Sequence, residues 1–189
     1  MKRGRWFQVV IRILPAILLG LTVGCETVKP SEYPPPSALL TYTDTNNGFS
    51  ISYPQDWELV PKDLLSDQDI VGFWAPEAET KGKPIVSVAK QECSPDTNPE
   101  HYFETLEAAL QGSPAYDYQL ISQEDLTIDG SAAIKHTFAY MRGEERLKAM
   151  QIYLVKSESV WIMTCLCSPK FFALFKPAFD AIVSSFRVL

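Results

Sequence analysis

The spacing of hydrophobic positions along this chain changes several times, and each change marks an element. Phe49, Ile51 and Tyr53 alternate with Ser50 and Ser52, a period of two that predicts a half-buried strand ended by Pro54. A short strand from Leu40 to Asp44 precedes it across the turn signal Asn46-Asn47-Gly48, and Trp57 to Val60 resumes an extended path. The polar stretch from Asp63 to Asp69 reads as a loop or one helical turn. Val71 to Ala75 and Ile85 to Gln91 then read as a strand pair. After Asn98-Pro99 the period lengthens. Phe103, Leu106 and Leu110 form the apolar stripe of a helix that Asn98 caps, Pro99 opens and Gly112-Ser113-Pro114 ends.

A meander follows. Its strands run Tyr118 to Ile128, Ala132 to Met141, Leu147 to Val155 and Val160 to Cys167, reversing at Asp129-Gly130, Gly143-Glu144 and Ser157-Glu158. The last strand is apolar on both faces, with Trp161 and Met163 on one and Val160 and Ile162 on the other, so it belongs at the centre of a sheet covered on both sides. Ser168-Pro169 opens a final helix carrying Phe172, Phe175, Phe179, Ile182 and Phe186 at helical spacing. Pro177 inside it predicts a kink or two consecutive pieces, and Arg187-Val188-Leu189 an extended tail. The elements sum to an α+β fold: an antiparallel meander covered by helices on both faces, an α/β/α sandwich.

The first residues follow a different logic. Lys2, Arg3, Arg5 and Arg12 precede an uncharged run from Ile13 to Gly24, too short to span a membrane and of the length found in secretory signals. It ends in Leu-Thr-Val-Gly-Cys, which resembles a bacterial lipobox, although Thr22 stands where lipoboxes prefer Leu. Residues 1–24 are therefore read as a lipoprotein signal peptide and Cys25 as the lipidated first residue of the mature protein; an ordinary signal peptide cleaved nearby is the alternative. Residues 25–38, with Lys29-Pro30 and Pro34-Pro35-Pro36, read as an extended spacer of ~3.1 Å per residue. Residues 39–189 read as one domain.

Charge and cysteine content narrow the function. The leader holds four of the 17 basic residues and none of the 23 acidic ones, so the mature chain is markedly more acidic than the whole-chain net of −6. Such a surface repels nucleic acid and anionic headgroups, which leaves the lipid as the membrane attachment. Cys93, Cys165 and Cys167 remain after Cys25. Export permits disulfides, and Cys165 and Cys167, sharing one strand face, are candidate partners for Cys93; buried free thiols are the equal alternative. A metal site is disfavoured, since Cys-x-Cys lacks a second ligand pair and the chain holds only two histidines.

Catalytic signatures are lacking. There is no Gly-x-Ser-x-Gly, His-Glu-x-x-His or Gly-rich phosphate loop. His136, between Ile134 and Phe138 on one strand face, reads as a core or rim histidine, and His101 as an exposed residue in the first turn of its helix. Asp67-x-Asp69 near Asp63 lacks the glycine and distal Glu of a calcium loop and reads as a solvated acidic loop. Glu144-Glu145 sits at a hairpin tip. No cofactor is expected.

Tyr42-Thr43-Asp44, Asn47-Gly48-Phe49-Ser50-Ile51, Tyr53-Pro54-Gln55-Asp56-Trp57 and the closing Ile182-Val183-Ser184-Ser185-Phe186 resemble the PsbP family across the whole mature domain. That family includes the extrinsic subunit P of photosystem II, cyanobacterial lipoprotein relatives and many bacterial homologues. The resemblance implies the same α/β/α sandwich. It implies a non-catalytic helper that docks on a membrane complex, photosystem II if the source is phototrophic, while other proteins of the fold bind unrelated partners, including a small nuclear GTPase. No metal-ligating motif carries over. In the Tyr53-Pro54…Trp57 signature, Pro54 is expected to end an edge strand and Trp57 to fold back over the sheet. The reading is a lipid-anchored, extracytoplasmic protein-binding or assembly domain. The alternative is an envelope protein that binds a small molecule or divalent metal.

Overall fold

In the computed structural model the described residues are 36, 38–76, 83–94 and 96–189. The expected signal peptide, Cys25 and all of the spacer except Pro36 and Ala38 lie outside them.

The strands are β1 (Leu39–Asp44), β2 (Phe49–Pro54), β3 (Glu58–Leu59), β4 (Asp69–Trp74), β5 (Ile85–Glu92), β6 (Gln119–Ile128), β7 (Ser131–Arg142), β8 (Glu145–Lys156), β9 (Ser159–Cys167) and β10 (Arg187–Val188). The helices are α1 (Pro99–Gln111) and α2 (Pro169–Ser184), with single 3-10 turns at Lys62–Leu64 and Pro114–Tyr116. Seven strands form one antiparallel sheet in the order β3-β4-β5-β9-β8-β7-β6. β9 is its middle strand, as its two apolar faces require. The β6–β7 reversal uses left-handed backbone at Asp129 (φ 50°) and Gly130 (φ 73°), matching the twist of the strands it joins.

The N-terminal hairpin does not join that meander. β1 and β2 form a separate three-stranded sheet with the C-terminal β10, in the order β1-β2-β10. β2 is thus an interior strand, not the edge strand expected from Pro54. The proline is tolerated because β10 reaches only Phe49 and Ser50, leaving Pro54 opposite β1 alone.

The two faces of the large sheet bury separate cores. On one, Trp161, Met163, Cys165 and Cys167 of β9 and Met150, Ile152 and Leu154 of β8 meet Phe172, Phe179 and Ile182 of α2 and Phe49 and Ile51 of β2. Phe49 lies 5.4 Å from Trp161 and 5.6 Å from Phe186, ring centre to ring centre. Trp57 stands edge-on to Phe175 and Phe179, so it packs on α2. The Ser185 hydroxyl accepts from the Ser52 N–H at 2.7 Å and donates to the carbonyl of Ile182 at 2.6 Å, tying the end of α2 to β2. On the opposite face Phe103 and Leu110 of α1 pack on Ile134, Phe138, Ala149 and Tyr153. The α/β/α layering is as expected.

α2 is one unbroken helix, not two pieces. Pro177 is on its exposed side, where water can serve the carbonyl that the proline leaves without an N–H partner. α1 begins as the sequence indicates, with Asn98 Oδ1 accepting the Glu100 N–H at 2.9 Å.

Candidate functional site: a hollow on the half-covered face

α1 covers only part of its side of the sheet. It lies over β7 and β8, and beyond it β5, β9 and the edge of β4 floor a hollow of about 870 Å3. That size falls within the ~300–1,000 Å3 of ligand sites. One wall is the flank of α1, with Tyr102, Thr105 and Leu106; the other is the 3-10 turn region, with Leu64, Leu65 and Ser66. Gly72 permits that second wall. A Cβ there would stand 2.7 Å from Leu65 Cδ2 and 3.1 Å from Val60 Cγ2, so glycine leaves the room in which Leu65 lies down on β4.

Strand register arranges the floor in rungs. Ile85, Leu166 and Ala149 stand side by side on β5, β9 and β8, continued by Phe138 on β7. Two residues along, Ser87, Thr164, Gln151 and His136 stand in line, extended to Gln123 on β6 and to Gly72 on β4. Two further along come Ala89, Ile162, Tyr153 and Ile134. A polar rung therefore crosses five strands between two mainly apolar ones. Gln151 is bonded on both sides: it accepts at Oε1 from the Tyr153 hydroxyl of the next rung at 2.7 Å and donates from Nε2 to Thr164 Oγ1 of its own rung at 3.0 Å.

Beneath α1 the rung continues as His136, which is fully buried and finds no hydrogen-bond partner at either ring nitrogen. Burial pushes its pKa down to about 4, the Glu100 carboxylate opposing that only in part, so the ring is neutral at pH 7. It is a core histidine on the face shared with Ile134 and Phe138, the placement its flanking residues indicated. His101 lies on the wall, highly exposed, 3.6 Å from Glu104.

Charge is confined to the rim. Arg142 lies 3.4 Å from Glu145, and Asp69 Oδ2 accepts from the Ser66 hydroxyl at 2.7 Å and the Ser66 N–H at 3.3 Å. Asp63 and Asp67 do not gather with Asp69 into a cation cage, and among the described residues no three His, Cys, Asp or Glu side chains converge.

The cysteines separate. Cys165 and Cys167 share the α2 face, while Cys93 is at the rim of the hollow on the α1 face. All three are free thiols in the structure, and the sheet itself stands between Cys93 and the other two, so the candidate bridge is not formed. Burial drives the Cys167 pKa up to about 12 and that of Cys165 well above its ordinary value.

The rung is the feature that reading along the chain missed. Each strand contributes one polar residue to it, and only the register reveals that they are neighbours.

Comparison with known proteins gives this architecture a family. The model of the PsbP-like protein family matches residues 27–188. Among solved structures the chain is similar to cyanobacterial PsbP (CyanoP) from Synechocystis sp. PCC 6803, with 20% identity over 90% of this chain and 100% of that one, at a TM-score of 0.60. It is similar to LpqN of Mycobacterium tuberculosis, described as involved in cell envelope biogenesis, with 14% identity over 80% of this chain and 90% of that one, TM-score 0.61. It is similar to the Saccharomyces cerevisiae Ran-binding protein Mog1p, with 6% identity over 80% and 95% of the two chains, TM-score 0.57. At these identities the likenesses establish the fold alone. No curated protein sequence matches the chain. A helix-flanked antiparallel sheet with a second small sheet of β1, β2 and β10, together with a family model that matches residues 27–188, places the chain in the PsbP-like family.

Proposed function

We propose that this protein is a lipid-anchored, extracytoplasmic, non-catalytic accessory domain that binds another protein, and that the hollow is its binding surface. The observation that carries the reading is the lining of the hollow. It holds hydroxyl and amide groups bonded to one another, Tyr153 to Gln151 and Gln151 to Thr164, an arrangement suited to holding a surface. Family membership and the envelope role described for LpqN support the setting. The basic leader, the Gly24-Cys25 junction and the proline spacer supply the tether. No described helix is long and apolar enough to cross a membrane, which is consistent with a lipid as the attachment. In a phototrophic source, photosystem II is the complex that the family points to.

Two measurements test this reading. Cys25→Ala should shift the protein from the membrane to the soluble fraction, and unchanged fractionation would remove the anchor. Crosslinking in intact cells should attach one defined membrane-associated protein to the wild type.

The volume of the hollow also admits a second reading, an envelope protein that binds a small molecule or divalent cation. Calorimetric titration of residues 26–189 with calcium, manganese and zinc separates the cation part, since defined micromolar binding would favour it.

A further inference from the structure

Three rungs floor the hollow: apolar (Ile85, Leu166), polar (Ser87, Thr164) and apolar (Ala89, Ile162). Successive rungs are two residues apart on the same strands, about 6.8 Å. That is also the distance between side chains i and i+2 of any extended chain laid along them. The bonding that reaches the polar rung has a direction. Tyr153 gives its proton to Gln151, and Gln151 gives an amide proton to Thr164. Thr164 Oγ1 is thereby an acceptor already in use, and its own proton, not needed for Gln151, is left to donate to another group. Ser87 stands beside it in register as a second hydroxyl.

The charged groups at the rim are held by local partners, Arg142 by Glu145 and Asp69 by Ser66. Ser66 is neutral, so Asp69 keeps its charge beside Ala89 at one end of the floor, but no charged side chain stands on the Ser87–Thr164 rung, where a charge would lose its water without a counterion, a cost of several kcal/mol.

Building on the reading of the hollow as a partner-binding surface, we propose that its occupant is an uncharged, extended segment of a partner protein, with apolar side chains at positions i and i+4 and a small neutral hydrogen-bonding residue at i+2 set on the Ser87–Thr164 rung. The apolar residues settle on the Ile85–Leu166 and Ala89–Ile162 rungs. The central residue accepts the Thr164 proton. Specificity comes from exclusion of charge at the centre as much as from the contacts made.

The test is calorimetric titration of the mature protein with three blocked pentapeptides that differ only at the centre: Leu-Ala-Ser-Ala-Leu, Leu-Ala-Asp-Ala-Leu and Leu-Ala-Lys-Ala-Leu. The serine peptide is expected to bind at least tenfold more tightly than either charged one. Thr164→Val, which keeps the shape and the strand preference, should cut that advantage to threefold or less, and Ser87→Ala should reduce it in part, with thermal midpoints showing both variants folded. Equal binding of the three peptides, a tighter charged peptide, or no saturable binding of the serine peptide overturns the proposal. So does a small molecule that co-purifies with the protein from its own membranes and that none of the peptides displaces. If crosslinks from the hollow still reach a partner while the peptides show no preference, the chemistry assigned here fails and the partner-binding surface stands. If no crosslink forms from the hollow, that surface fails as well.

Discussion

The imidazole of His136 lies flat against the ring of Phe103, with centroids 3.3 Å apart and planes 6° from parallel. This stack joins the middle of β7 to the inner face of α1 and seals both ring nitrogens from water. A neutral ring is accommodated there, but a charged one is not.

Acid stability follows from that pair. The folded-state pKa of His136 is below its ordinary 6.5, so protonation favours the unfolded chain. Its penalty is absent above pH 6.5, grows as pH falls toward about 4, and levels off below. At ~1.4 kcal/mol per unit the loss amounts to about 3 kcal/mol. Denaturant midpoints at pH 7.5 and 4.5 should differ by much less in His136→Leu than in the wild type. Parallel loss in the two would mean that His136 is not the group responsible.

Gly72→Ala tests the wall of the hollow. The new Cβ displaces Leu65 and presses on Val60 Cγ2, 3.1 Å away, which should destabilise by about 1–3 kcal/mol. Leu65→Ala in the same chain should recover part of that loss, because the clash then has no partner. Urea titration of the four proteins in the cycle gives the coupling, and strict additivity would contradict the close approach.

Reactivity should sort the thiols. At pH 8 a disulfide reagent is expected to modify Cys93 in the folded domain of residues 26–189, and Cys165 and Cys167 only after unfolding, since burial holds both as thiols. Peptide mapping that found a bridge from Cys93 to either would contradict the placement of the sheet between them.

Asp129 secures the C-terminus. Its Oδ2 accepts the Val188 N–H at 3.1 Å and pairs with Lys156 at 2.5 Å, and the Lys156 hydrogen bond and then the Val188 amide hold its carboxyl below the usual range. Asp129→Asn should quicken amide exchange at Val188 and loosen β10. The wild type should show the same loosening only as pH falls through the lowered carboxyl pKa, because the contribution is present above that range. Unchanged exchange would show that backbone pairing to β2 suffices.

Much of this architecture can be read along the chain, because it rests on local signals. The alternation at Phe49, Ile51 and Tyr53, the Asn98 cap and the two apolar faces of β9 each report on their own element. What cannot be read depends on neighbours distant in sequence. Trp57 declares itself buried, yet its packing on α2 is set by α2 itself, more than a hundred residues later. The strand at Pro54 looks like an edge until β10 returns to pair with its other end. The polar rung is the extreme case. Ser87, Thr164, Gln151, His136 and Gln123 come one from each of five strands, and a shift of one residue in any pairing would disperse them.

The most direct measurement of the account places a photo-crosslinking residue at Leu64, an exposed position on the wall of the hollow, and in a separate strain at Ala173, on the exposed side of α2. Illumination of intact cells is predicted to give one discrete adduct from Leu64 and none from Ala173, with the Leu64 adduct mapping to an uncharged segment of the captured protein. Equal labelling from both positions, or an adduct from Ala173 alone, would contradict the hollow as the binding surface.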